Sequence, residues 1–192
     1  SLVTNQENSE NSYWRLHSSG KIGVREREPE PERVNLAQLQ LRFEQELSVK
    51  DYYQQYREQG IDHGPIFQVI DQLWGQEGEA LARIRMPEGL ALELEDYKLH
   101  PVLLNACLQS IMAALPQLAK EAKTKTYLPV GLERLRVYRR PELNLWNYVQ
   151  MRPAKGSEQQ DLTADLLLLD ETGSVVVQLE GLTINQTSHE SS

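Results

Sequence analysis

The stretch Pro101 to Leu115, PVLLNACLQSIMAAL, constrains this chain's fold more than any other. Pro101 suits a first helical position, because the N–H it lacks would have no partner there. Val102, Leu103, Leu104, Ala106, Cys107 and Leu108 then place apolar side chains almost all round the helix, and Pro116 stops it. A helix without a polar face has to be wrapped by other structure rather than laid on a surface. Two amides interrupt it. Asn105 and Gln109 are four residues apart, so they lie one above the other on the same side. Sealed from water, each would cost about 1–3 kcal/mol if unpaired. Either backbone groups of surrounding strands satisfy them, or they mark a polar site at the bottom of an apolar tunnel.

The flanking sequence supplies the wrapping. Leu36, Leu39 and Phe43 have helical spacing. Ser48 reads as an N-cap, with Asp51 three residues on as its capping-box acid. DYYQQYREQ continues as a short helix, and Gly60 stands where a left-handed C-cap belongs. Gly64-Pro65 is a turn. Phe67 to Trp74 and Glu79 to Met86 read as strands joined by a hairpin. The second alternates, with Ala80, Ala82, Ile84 and Met86 on one face. Beyond the central helix and a polar loop come four more strands: Leu132 to Tyr138, Leu145 to Arg152, Leu162 to Leu169 and Ser174 to Ile184. LDETGSV is a tight turn between the last two. Antiparallel strands around one central helix satisfy this order, an α+β architecture. The organisation predicted is a disordered tail over residues 1–12, a strand (Tyr13 to Val24) with a charged, proline-broken linker over 13–34, one domain over 35–187, and a frayed tail over 188–192.

Charge and composition exclude several classes. Acids outnumber bases 28 to 20, for a formal charge of -8, which argues against nucleic acid, whose phosphates need clustered Lys and Arg. Arg134, Arg136, Arg139 and Arg140 read as a solvated strand end. Cys107 is the one cysteine, so no internal disulfide forms and a reducing, cytoplasmic setting is expected. It sits among Ala and Leu, the surroundings of a structural thiol rather than a nucleophile. SLVTNQENSENS has no signal-peptide pattern, and no apolar run approaches the ~20 residues of a membrane span. Asn185-Gln186-Thr187 matches a glycosylation acceptor but has no secretory context. Scattered histidines and one cysteine, without HxxxH or CxxC spacing, predict no metal site. No phosphate loop or nucleophile elbow is present.

Several motifs, in order, resemble those of one family. HPVLLNACLQ, from His100, resembles the HPxLLDAxxQ motif of the dehydratase domains of modular polyketide synthases. GIDHGPIFQ, from Gly60, resembles their GxxYGPxFQ motif. YLPVGLERLRVY, from Tyr127, resembles their LPxG strand, and WRLHSSGKI resembles the strand closing the preceding half-domain. The likeness runs from about Tyr13 to Ile184. It implies a hotdog fold: an antiparallel sheet wrapped around a long helix. In the family two hotdogs lie side by side, and this chain would be the second plus the last strand of the first. The family removes water from a β-hydroxyacyl group delivered on the phosphopantetheine of an acyl carrier protein, with no other cofactor. A first-hotdog histidine in HxxxGxxxxP takes the α-proton, and a helix aspartate helps the hydroxyl leave, assisted by Gln or His one turn later.

The resemblance assigns Asn105 to the aspartate position and Gln109 to its helper. It assigns His63, Gly64, Pro65, Phe67, His100, Pro129 and Gly131 to the substrate pocket. Two departures matter. Asn105 has no carboxylic proton to hand over, whereas a positioned acid is worth ~10²–10⁴-fold. None of His17, His63, His100 or His189 carries the HxxxGxxxxP pattern. His63 replaces the tyrosine of YGP and reads as an exposed turn residue, and His100 as packing or capping the helix start. The expectation is a dehydratase-like domain without the chemistry, holding neighbouring synthase domains or a second copy as a homodimer. The alternatives are part of an active dehydratase carrying an Asp→Asn change, or an acyl-binding or thioesterase-like hotdog. The last lacks a well-placed carboxylate, since Asp96 lies in the acidic loop ELED.

Overall fold

The computed structural model describes residues 2–6, 13–23, 30–115, 125–153 and 162–188. At the amino end Leu2–Gln6 (β1) pairs antiparallel with Tyr13–Ser18 (β2) as a separate two-stranded ribbon. Residues 2–6 are thus a strand where none was expected. β2 stops at Ser18, where Ser18-Ser19-Gly20 begins. Residues 24–29, which hold most of the charged linker, and the tail from 189 on lie outside the described residues.

Leu36–Gln40 is α1, Glu46–Leu47 is β3 and Val49–Glu58 is α2. The Ser48 N-cap and the Gly60 C-cap act as read: the Ser48 hydroxyl accepts from the N–H of Asp51 at 3.3 Å, and Gly60 takes φ 84° just past the end of α2. Pro65–Phe67 is a single 3-10 turn, so the next strand starts later than expected, at Ile70–Gln76 (β4). Glu79–Arg85 is β5.

The central helix is broken. α3 covers Pro101–Gln109 and α4 covers Ile111–Ala114, meeting at Ser110. The Ser110 hydroxyl donates back to the Cys107 carbonyl at 2.9 Å, a local bond that bends helices. Burial is also less uniform than the sequence suggested. Val102, Leu103, Ala106 and Cys107 are buried, whereas Leu104, Asn105, Leu108 and Met112 form a half-buried stripe.

Lys125–Gly131 is β6; periodicity began a strand only at Leu132, whereas the likeness of YLPVGLERLRVY to an LPxG strand already began one at Tyr127. Arg134–Val137 is β7, Asn144–Met151 β8, Leu162–Leu169 β9 and Val175–Ser188 β10. Among the described residues one antiparallel sheet runs β3-β4-β5-β8-β9-β10-β6, with β7 also on β10. β10 serves both partners by length: Val177 to Glu180 face β7, and Thr183 to Ser188 face β6.

The sheet has an apolar face on each side. On the inner face α3, α4 and the tyrosines of α2 pack against β4, β5, β8, β9 and β10. Gly75 permits the closest approach, since a Cβ there would come within 2.4 Å of the Ala113 carbonyl oxygen. On the outer face α1 brings Leu39 with the following Phe43 onto Leu81, Trp146, Tyr148, Leu169 and Val175. Trp74 stacks on Trp146 at 5.9 Å, with the Arg83 guanidinium over the Trp146 ring.

Candidate functional site

Asn105, Leu108 and Met112 of that half-buried stripe face a cleft of about 250 Å³. Its apolar walls are Leu108, Ile111 and Met112 from the helix, with Leu128, Pro129 and Ile184 from β6 and β10. Asn105, Gln109, His63, Tyr56 and Tyr127 supply the polar surface. Among the described residues none that lines the cleft is acidic.

Gln109 organises the polar end. Its Nε2 donates to the Phe67 carbonyl at 3.1 Å and to Asn105 Oδ1 at 2.6 Å. Its Oε1 accepts from the Tyr53 hydroxyl at 3.1 Å. Its backbone carbonyl, one of the last in α3 and so without a helical partner, accepts from Tyr52 at 2.5 Å and Tyr56 at 2.7 Å. One face of α2 therefore fastens both ends of a single residue of α3. Burial drives the Tyr52 and Tyr56 phenols up and pushes Tyr53 to about 12, although the Ile70 N–H on its oxygen works the other way. All three remain protonated donors at neutral pH.

His63 is not the exposed turn residue that its neighbours Gly64 and Pro65 suggested. It is half-buried, with its ring edge-on to Tyr56 at 4.8 Å and Tyr53 at 6.3 Å. Its Nε2 is sealed from solvent and has no partner among the described residues. Burial lowers its pKa, partly countered by the Asp62 charge, so the ring is neutral near pH 7.

The remaining assignments divide. Pro129 is in the cleft wall; Gly64 and Pro65 are exposed beside it, opening the 3-10 turn. Phe67 contributes its carbonyl to Gln109 and its half-buried ring to the core. Gly131 sits one step beyond the cleft, opposite Thr183 of β10. His100 is elsewhere and plays a structural part. Its Nδ1 accepts from the Val102 N–H at 3.2 Å, capping α3, and its ring lies edge-on to Tyr97. Cys107 is fully buried, with its thiol pushed up to about 12 by burial, which removes it as a nucleophile. Sequence reasoning missed Tyr52, Tyr53 and Tyr56. Their spacing, two adjacent and a third one turn on, was the available signal, since it puts three rings near one face of an otherwise polar helix.

Comparison with known proteins places this arrangement in a family. The model of the family described as "Polyketide synthase dehydratase N-terminal domain" matches residues 31–192. The chain belongs to the polyketide synthase dehydratase family. Polyketide synthase PksN of Bacillus subtilis (strain 168) is 31% identical over 126 residues, which are 64% of this chain and 2% of that protein. A mycocerosic acid synthase-like polyketide synthase of Mycobacterium tuberculosis is 29% identical over 166 residues, 85% of this chain and 8% of that protein. The dehydratase domain from the CurF module of curacin polyketide synthase superposes with a TM-score of 0.83 at 34% identity, over 96% of this chain and 63% of that one. An inactive Asp-to-Asn mutant of the CurK dehydratase superposes at 0.71 with 35% identity, over 82% and 54%. The fold is thus the hotdog of these dehydratases, and the chain spans less than two thirds of each relative. Among the described residues no helix is long and apolar enough to cross a membrane, and no group of His, Cys, Asp or Glu has the makings of a metal site.

Proposed function

We propose that this chain is a dehydratase-type hotdog that retains the acyl cleft of the family but not its elimination chemistry. One observation carries the reading: the cleft's polar end is a carboxamide pair, Asn105 and Gln109, and no acid lines it. Loss of a β-hydroxyl needs a proton delivered to the leaving oxygen, and an amide has none to give. The CurK relative solved as an inactive Asp-to-Asn mutant supports the same chemistry. The apolar walls fit an acyl chain presented on the phosphopantetheine of an acyl carrier protein.

The family model is described as the N-terminal domain, yet the helix motif from His100 resembles the family's second hotdog. We follow the motif, because the cleft is built around its polar pair. The remaining role is then structural, a face offered to neighbouring synthase domains or to a second copy. Leu128, Val130, Leu132 and Leu135 support it, being exposed by 42–58% along β6, β7 and the turn between them, a run of apolar side chains of the kind that marks a contact face. The Asp-to-Asn relative also favours a second reading, in which Asn105 interrupts an otherwise active dehydratase.

One sample tests the proposal. Incubated with a β-hydroxyacyl pantetheine thioester, the chain is expected to produce no enoyl thioester absorbance, and in the ultracentrifuge to sediment as a dimer. Enoyl product from the unaltered chain overturns the chemistry, and a clean monomer overturns docking on a second copy. Turnover by Asn105→Asp in a chain extended upstream to include a histidine-bearing first hotdog, and not by its Asn105 counterpart, would establish the second reading.

A further inference from the structure

The hydrogen bonds around Gln109 have a direction, and backbone groups set it. The N–H of Ile70 donates to the Tyr53 hydroxyl oxygen at 3.3 Å. A backbone N–H can only donate and so cannot take the Tyr53 hydrogen, which goes to the Gln109 oxygen instead. At the other end of the amide the Phe67 carbonyl can only accept, so it takes Nε2. Turning the Gln109 amide over would set its oxygen against the Phe67 oxygen and leave the Tyr53 hydrogen without an acceptor. Its second Nε2 hydrogen then points at Asn105, which answers with Oδ1. Turning Asn105 over would set two NH₂ groups face to face. The chain of constraints ends at Asn105 Nδ2, which has no partner among the described residues and belongs to a side chain lining the cleft.

We propose that this relay, from Ile70 through Tyr53 and Gln109, ties Asn105 Oδ1 to Gln109 and leaves its Nδ2 as the group offered to the cleft, so that the site selects acyl thioesters bearing a carbonyl oxygen at the β-carbon. The proposal rests on the reading above that the cleft takes an acyl thioester. It adds the polarity of the group that is recognised. A carboxylate at this position would turn an acceptor towards the ligand and favour a β-hydroxyl, which has a hydrogen to give. The carboxamide turns N–H groups towards it and favours a β-keto oxygen, which can only accept. Apolar walls strengthen the preference, since a donor left unpaired in them costs the full desolvation of that group.

The experiment measures affinities of β-keto, β-hydroxy and unsubstituted octanoyl pantetheine for the full chain by calorimetry at slightly alkaline pH. The β-keto ligand is expected to bind about ten-fold tighter than the unsubstituted one, the worth of one hydrogen bond in a dry site. In Asn105→Asp the ratio of β-keto to β-hydroxy affinity should fall by about ten-fold or more. Tyr53→Phe, which removes one of the two groups that orient the Gln109 amide and leaves only the Phe67 carbonyl, should shrink the β-keto preference while binding of the unsubstituted ligand persists. That last affinity reports whether each variant is folded. Equal affinity for all three ligands, or a ratio unmoved by Asn105→Asp, overturns the donor assignment and leaves the acyl cleft standing. No binding by any ligand overturns both.

Discussion

Two buried amides sit on either side of the break in the central helix, and the structure treats them differently. On the cleft side Gln109 uses both ends of its side chain and its own carbonyl, with five hydrogen bonds to Tyr52, Tyr53, Tyr56, Phe67 and Asn105. On the sealed side Asn147 of β8 donates from Nδ2 to the Ser110 hydroxyl at 2.5 Å and the Cys107 carbonyl at 3.3 Å. Its Oδ1 is buried without a partner among the described residues. Neither amide is there for packing alone, since Leu would fill either space more cheaply. The cleft amide is held in one orientation from both ends. The sealed amide is held from one end only and serves the helix break. Full satisfaction goes with preorganisation of a site, and partial satisfaction with a structural bond the fold merely tolerates.

The largest expected effect is on the cleft side. Gln109→Leu strips partners from the Tyr53 hydroxyl, the Phe67 carbonyl and Asn105 at once. It should destabilise the chain by about 3 kcal/mol, the sum of modest penalties for each buried group left unpaired. Urea denaturation measures this, and a change under about 1 kcal/mol would show that the network orders nothing. Asn147→Leu should come next and be small, within about 1 kcal/mol in either direction, because losing the orphaned Oδ1 offsets losing the Ser110 contact. A cost as large as that of Gln109→Leu would erase the distinction between the two amides.

The smallest effect separates the clusters by pH. Among the groups at these two clusters, only His63 on the cleft side titrates near neutrality, since the sealed side holds just the Cys107 thiol, at about 12. Burial lowers the folded pKa of His63, so the unfolded chain binds more protons as pH falls through the ordinary imidazole value of about 6.5. The contribution of His63 is therefore neutral above that value. It becomes destabilising below, and levels off once the folded value is passed. Unfolding midpoints should drop more between neutral and mildly acidic pH in the native chain than in His63→Gln. Parallel curves would place His63 in water.

Much of the architecture was legible because its signals are local. Pro101 at the start of α3, the Ser48 cap, Gly60 past α2 and the alternation of Glu79 to Met86 each act through their own backbone within a turn or two. The polar pair Asn105 and Gln109 was visible too, since helix geometry alone stacks residues four apart. The stretch Lys125–Gly131 was legible only from Tyr127 on, through the likeness of YLPVGLERLRVY to an LPxG strand, and not through periodicity. β10 holds it in register from more than fifty residues away. The break at Ser110 was equally hidden, being secured by Asn147 across 37 residues.

By itself the sequence determined that a nearly all-apolar helix lies under an antiparallel sheet, and that an amide, Asn105, interrupts it one turn before Gln109. Only the tertiary structure decided which way that amide faces. Side-chain carboxamides are symmetric in shape and differ only in where their hydrogens are. Their direction is set by partners that must donate or must accept, and here those are Ile70 and Phe67, brought to the helix from the far side of a turn.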